Sequence, residues 1–255
     1  MAAMIDHVVA QIVGLQIKLL SCQARLAAQT DSEALHDLRT SVRRLRSLLR
    51  PLRGLPGVDQ VEAAAKAVGE LTTPFRDKEV LAAHLIAWHF PAAGAKRLAE
   101  LEGVFVAVAA SAELGRLLAV VDAFPQFLRA AQRQKLLRGL RRRVDKRLVK
   151  QWRKLLEALR DPAHDRHRLR LLIKRVRYAH EAYPQLDRSP AKTARCLKEA
   201  QGALGDWHDH FQWLLQAEQQ ADLAPCVAGW QAAMKQAEQV SDEVLDKLLA
   251  ICSKQ

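Results

Sequence analysis

Apolar residues recur along this chain at spacings of three and four, and no stretch alternates strictly, so the pattern predicts helices almost throughout. A first helix is expected from about Met4 to Ala28. Thr30-Asp31-Ser32-Glu33 has capping-box spacing and should open a second, which Gly54 and Pro56 stop after Arg53. A third covers about Gln60 to Leu71, and Thr73-Pro74 should cap and start a fourth that ends before Pro91. Shorter helices follow to about Val121, and Asp122 to Pro125 looks like a hinge. A long helix from Pro125 to Arg160 is then broken by Asp161-Pro162. Asp165 to Tyr183 is expected as a helix ended by Pro184, and Ser189-Pro190 opens another that Gly205-Asp206 interrupts. Asp206 to Ala221 and Pro225 to Ile251 complete an all-α chain with about four helices on each side of the hinge, which suits two four-helix bundles.

Two of these helices say nearly the same thing. His36, Leu38, Arg39, Val42, Arg43, Leu45 and Arg46 match His167, Leu169, Arg170, Ile173, Lys174, Val176 and Arg177 at a constant offset of 131. A constant offset over eleven positions reads as an internal repeat, with repeat one at 1–122 and repeat two at 123–255. At about 100° per residue, His36, Arg39, Arg43, Arg46 and Arg50 share a sector about 80° wide beside an apolar seam of Leu35, Leu38, Val42, Leu45, Leu49 and Leu52. The second copy stacks His167, Arg170, Lys174 and Arg177 beside Leu169, Ile173 and Val176. Like charges at this spacing cost a few tenths of a kcal/mol per pair, so an anion is expected to offset them.

Charge sharpens the picture. Lys plus Arg outnumber Asp plus Glu by 40 to 28, and between Arg129 and Arg177 the count is 19 against four. That excess points to a polyanionic partner. Arginine forks bind two phosphate oxygens at once, and lysine adds a mobile point charge. Cations at i, i+3, i+7 and i+10 make a row about 15 Å long.

The pattern His-x-x-Arg-x-x-x-Arg/Lys-Arg-x-Arg, present twice, resembles the CHAD domain, the conserved histidine α-helical domain. An Arg-Asp or Leu-Gly…Asp element after each histidine helix has counterparts in Arg76-Asp77 and in Leu204-Gly205-Asp206-Trp207-His208-Asp209. Asp77 lies 41 residues after His36 and Asp209 lies 42 after His167. No Leu-Gly precedes Arg76, and His208 stands where Arg or Asn would be more usual. The resemblance spans essentially the whole chain and implies one domain, 1–255, of paired helical bundles related by a pseudo-twofold axis. It also implies binding of inorganic polyphosphate in a positively charged groove. The expected ligands are His36, Arg39, Arg43, Arg44, Arg46 and Arg50, with His167, Arg170, Lys174, Arg175 and Arg177. Arg76, Asp77, His208, Asp209 and Tyr178 are expected to support them, the two aspartates by orienting a stripe Arg or His or by favouring a helix N-terminus. Arg142, Lys146, Lys150 and Arg153 lie outward from an expected core face of Leu136, Leu140, Val144, Leu148 and Leu155, and either add a peripheral field or form an ordinary solvated face.

Other chemistries lack candidates. His208 and His210, two apart, diverge on a helix, and His84 and His89, five apart, also diverge, so no metal or other cofactor is expected. There is no phosphate-cradling glycine loop and no acidic cluster to hold Mg²⁺, so catalytic residues are not expected. Cys22, Cys196, Cys226 and Cys252 form no framework and read as reduced thiols. No uninterrupted run of 18 apolar residues and no basic-then-apolar leader appear, so a cytoplasmic protein without a membrane span is expected, free or on polyphosphate granules. Nucleic acid is the second reading of the basic faces, although aromatics at 5% offer few stacking platforms. An accessory subunit of a polyphosphate-processing enzyme is the third.

Overall fold

The computed structural model describes residues 2–187 and 189–253. Among these residues every regular element is helical. The chain divides into two compact units, Met1–Asp145 and Lys146–Gln255.

The first unit is a ring of four long helices, α1 (Ala2–Ala28), α2 (Ala34–Leu49), α3 (Val58–Ala87) and α6 (Ala112–Arg133). Each packs on the next and α6 closes back on α1, while the short α4 (Pro91–Ala99) and α5 (Val104–Ala109) lie against α3 and α1. The heptad-like spacing explains the ring: Ile5, Val8, Ile12, Leu15 and Leu19 of α1 are all buried, as are Leu114, Leu117, Val121, Phe124 and Leu128 of α6. On α2, Leu35, Leu38, Val42, Leu45 and Leu49 are at most 3% exposed. Burying five such side chains is worth about 8–15 kcal/mol before conformational entropy, against about 1–2 kcal/mol of repulsion along the basic stripe. The seam therefore dictates the helix and carries the stripe with it.

The second unit holds the later part of α7 (Leu140–Leu159), then α8 (Arg166–Ala182), α9 (Ala191–Ala217) and α10 (Val227–Cys252). Its core joins Leu155 and Leu159 of α7 to Leu169, Ile173 and Val176 of α8, Leu197 and Leu204 of α9, and Leu245 and Leu248 of α10. Asp165 caps α8 by accepting from the His167 amide at 2.8 Å. Arg166 grips Asp242 of α10 through both carboxylate oxygens, at 2.9 and 2.7 Å.

Several sequence-based boundaries give way. The helices expected on either side of Thr73-Pro74 are one 30-residue helix, α3, with Pro74 inside it. Proline removes an amide donor and crowds the preceding turn. Side chains brace the turn before it: Thr72 Oγ1 donates to Val68 O at 2.7 Å and Thr73 Oγ1 to Gly69 O at 2.7 Å. Arg39 of α2 adds a bond from Nη1 to Gly69 O at 3.1 Å. Thr72→Val should accordingly destabilise the protein by about 1–3 kcal/mol, since it strips a buried hydroxyl from both Val68 and Arg39. Urea unfolding checks this; an unchanged midpoint would show that the hydroxyl is dispensable.

The hinge expected at Asp122 to Pro125 is absent, because α6 runs through it, so the expected boundary at 122/123 lies inside a helix. The break comes later, where Lys135 (φ +62°) and Gly139 (φ +70°) turn the chain through left-handed conformations. This turn also lifts Leu136 out of the expected core face, leaving it 54% exposed. Gly205-Asp206 does not interrupt α9, which is continuous to Ala217. Thr30 to Glu33 form no capping box: Asp31 accepts from the Glu33 amide at 3.0 Å, and Glu33 itself caps nothing with its side chain.

Two stretches, Ala3–Ala28 and Val104–Arg133, are long and apolar enough to cross a membrane by length and composition alone. Their buried positions form the core of the first unit, and Ser111 interrupts the second stretch by capping α6.

Candidate functional site

In the first unit the basic face of α2 lies beside α3. His36, Arg39, Arg43, Arg46 and Arg50 are all half-buried, the last in a 3₁₀ turn that follows α2. Arg39 Nη1 donates to Gly69 O, to Thr72 Oγ1 at 2.9 Å and to Thr73 Oγ1 at 3.1 Å, so this stripe residue also fastens α2 to the proline turn of α3. Burial pushes its guanidinium below the usual arginine range; Arg43 and Arg76 push the same way, against Asp77 and Glu79. Arg39, Arg43 and Arg76 therefore form one crowded cluster of cations, with Asp77 as a nearby counter-charge. Arg46 crosses α3 at Gly69, where a Cβ would stand 3.8 Å from its Nη1. Arg76 Nη1 lies 3.1 Å from Glu79 Oε2, and burial raises the Glu79 carboxyl, which that arginine opposes. His36 heads the row with Nε2 at 3.5 Å from Thr40 Oγ1.

Arg44 lies elsewhere. It is exposed and lines a groove of about 360 Å³ between α1 and α2, with Lys18, Arg25 and Asp37, rather than standing in the stripe. Beside it, Arg25 holds Asp31 through Nε and Nη2 at 2.8 and 2.6 Å and Asp37 through Nη1 at 2.7 Å, closing the α1–α2 turn.

In the second unit α8 repeats the arrangement against α9. Arg170 and Lys174 are half-buried, while His167 and Arg175 are exposed. The ring of His208, on α9, stands 5.3 Å from that of His167. Burial, then Arg170, His167 and Lys174, push the His208 imidazole down to about 4. Asp209 follows it on α9, half-buried. Arg177 is more occupied than a ligand-only role would suggest: Nε donates to Gln201 Oε1 at 2.7 Å and Nη1 to Glu181 Oε1 at 2.6 Å. Its guanidinium also lies 4.4 Å over the ring of buried Tyr178, so Tyr178 supports it by a cation–π contact. Arg142, Lys146, Lys150 and Arg153 of α7 are exposed, and Arg153 reaches Glu157 at 3.5 Å.

The structure thus brings a basic row and a partner helix carrying the downstream Asp together inside each unit: α2 with α3, and α8 with α9. Among the described residues no group of His, Cys, Asp or Glu is arranged to hold a metal ion. Sequence reading missed the clamps around the rows. Trp152 donates its indole N–H to His180 Nε2, and His180 Nδ1 lies 2.6 Å from Asp187 Oδ1, which ties α7 to the end of α8. The Asp187 carboxyl falls below its usual range, because the Ser189 amide and His180 together outweigh the effect of its burial. No spacing signals these contacts, since each joins residues from separate elements.

The CHAD-domain family model matches residues 11–218. The fold is similar to the crystal structure of the CHAD domain from the plant Ricinus communis, with a TM-score of 0.72 and 22% identity over 97% of this chain and 90% of that one. No curated protein matches the sequence. With a family model matching most of its length and an all-helical structure of the same fold, this chain belongs to the CHAD-domain family.

Proposed function

We propose that this protein binds inorganic polyphosphate electrostatically through the basic rows of α2 and α8, as a binding module rather than an enzyme. One observation carries the reading. Each unit holds a helix whose buried apolar seam forces cations into a row against their own repulsion, with a partner helix beside it, α3 beside α2 and α9 beside α8. Such crowding costs stability unless an anion relieves it. Half-buried guanidiniums favour a thin, flexible chain of phosphates, which can lie along the row and collect bidentate contacts from Arg43 and Arg46 and from Lys174 as a point charge. The exposed lysines and arginines of α7 would extend the attracting field.

Nucleic acid remains the second reading, favoured by one feature. Trp207 and Phe211 on α9 stack 5.8 Å apart, and Phe211 is 39% exposed, beside His208, where an unpaired base could rest. Competition between long-chain polyphosphate and nucleic acid for the protein separates the two, with polyphosphate expected to win.

A further inference from the structure

His208 stands at a telling place. It lies 132 residues after Arg76, the offset that also relates Asp209 to Asp77, so the repeat sets an imidazole where the first unit has a permanent cation. Its ring meets that of His167 at 5.3 Å, and its Nδ1 is buried without a hydrogen-bond partner among the described residues. The groups that act on it most all come from α8: the cations Arg170 and Lys174, with the His167 ring between them in effect. Of the four acids on the neighbouring α10, Glu238 is held by the Trp207 indole N–H at 3.3 Å and Asp242 by Arg166, while Glu243 and Asp246 are not among the groups that shift the ring. On α9 itself, Asp206 and Asp209 flank it, and His210 turns its Nδ1 to the Asp206 carbonyl at 2.7 Å.

We propose that His208 makes anion binding at the α8 row proton-linked, so that the second unit grips polyphosphate more tightly as pH falls while the first, with Arg76 at this position, does not change through it. This rests on the polyphosphate reading. In the free protein, burial first and then the charges of Arg170 and Lys174 disfavour the protonated ring. A phosphate laid against Arg170 and Lys174 cancels that repulsion and offers an acceptor to a ring N–H. The ring then gains a proton when the anion binds. The sign follows: a group whose pKa rises on binding strengthens binding below the raised value, and the gain levels off below about 4, where the free ring is protonated too. If the bound ring returns to the ordinary histidine range, affinity at pH 5.5 exceeds that at pH 7.5 by about tenfold.

The test is calorimetric titration of the full chain with long-chain polyphosphate at pH 5.5 and 7.5, in buffers of different ionisation enthalpy, which counts the protons taken up. The wild type should show the tenfold ratio and a measurable uptake near pH 6. In His208→Gln the ratio should shrink well below tenfold, with correspondingly less uptake. His208→Arg should hold the tight, low-pH affinity at pH 7.5, and Arg76→His should give the first unit a new pH dependence. A His208→Gln protein with the wild-type ratio and uptake would overturn the proposal, as would a flat wild-type profile. A wild type that binds polyphosphate at neither pH would instead overturn the polyphosphate reading, and this inference with it.

Discussion

Replacing Arg43 with Glu is expected to weaken polyphosphate binding by about thirtyfold or more, whereas Arg153→Glu, with the same change in net charge, should weaken it no more than a few-fold. A charge-assisted contact to phosphate is worth about 1.5–3 kcal/mol, and reversing the charge adds repulsion to the loss. Arg43 is half-buried in the α2 row, close enough to Arg39 to lower its pKa. Arg153 has a side chain 68% exposed and a glutamate at 3.5 Å, and ordinary salt screens it within about 10 Å. Lys174→Glu is the equivalent change in the second unit and should behave like Arg43→Glu. Both variants should stay folded, because the seams of Leu38, Val42 and Leu45 and of Leu169, Ile173 and Val176 are untouched. Circular dichroism checks the fold, and titration with labelled polyphosphate ranks the affinities. Equal losses from all three reversals would mean a diffuse charge cloud instead of a row.

The second large effect is one of chain length. Long-chain polyphosphate should bind at least about a thousandfold more tightly than orthophosphate, because one chain neutralises many cations and releases their counterions together. By the same physics, the logarithm of the affinity should fall with the logarithm of salt concentration at a slope of several units. The magnitude follows from the count of cations in the rows: with six to ten phosphates neutralised, affinity falls by about 10³–10⁵ between 50 and 200 mM salt. A salt-independent affinity, or orthophosphate binding as tightly as the chain, would remove the basis for the row.

The repeat and the basic rows were legible because both are written in local periodicity. Leu38, Val42 and Leu45 recur at helical spacing and are buried where that spacing puts them, and the aspartate expected to open α8 does so. What was illegible is what other elements supply. Thr73-Pro74 looks like a helix start and is a helix interior, where Thr72, Thr73 and Arg39 bond carbonyls of the turn before the proline. Pro125 and Gly205 likewise pass inside helices, since buried Phe124 and Leu128 around one and Leu204 and Trp213 around the other outweigh a local cost of about 1–3 kcal/mol. The double duties of Arg39 and Arg177 were invisible for the same reason, because Thr72 and Gln201 lie on other helices. Arg44 follows from angle alone: it lies about 100° from Arg43, which carries it off the row and into the α1–α2 groove.

Rows that take polyphosphate in preference to other polyanions should reveal it in competition. Labelled long-chain polyphosphate bound to the full-length protein is challenged with unlabelled polyphosphate and with duplex DNA at matched phosphate concentration and salt. A duplex is a stiff, wide cylinder and reaches half-buried cations poorly, while a thin chain can follow them. Polyphosphate should therefore displace the label at a phosphate concentration at least about tenfold lower than DNA requires. An Arg43→Glu, Lys174→Glu double variant should hold the label too weakly for the competition to be run. Equal displacement by DNA, or a double variant that binds as tightly as wild type, would contradict that role for the rows.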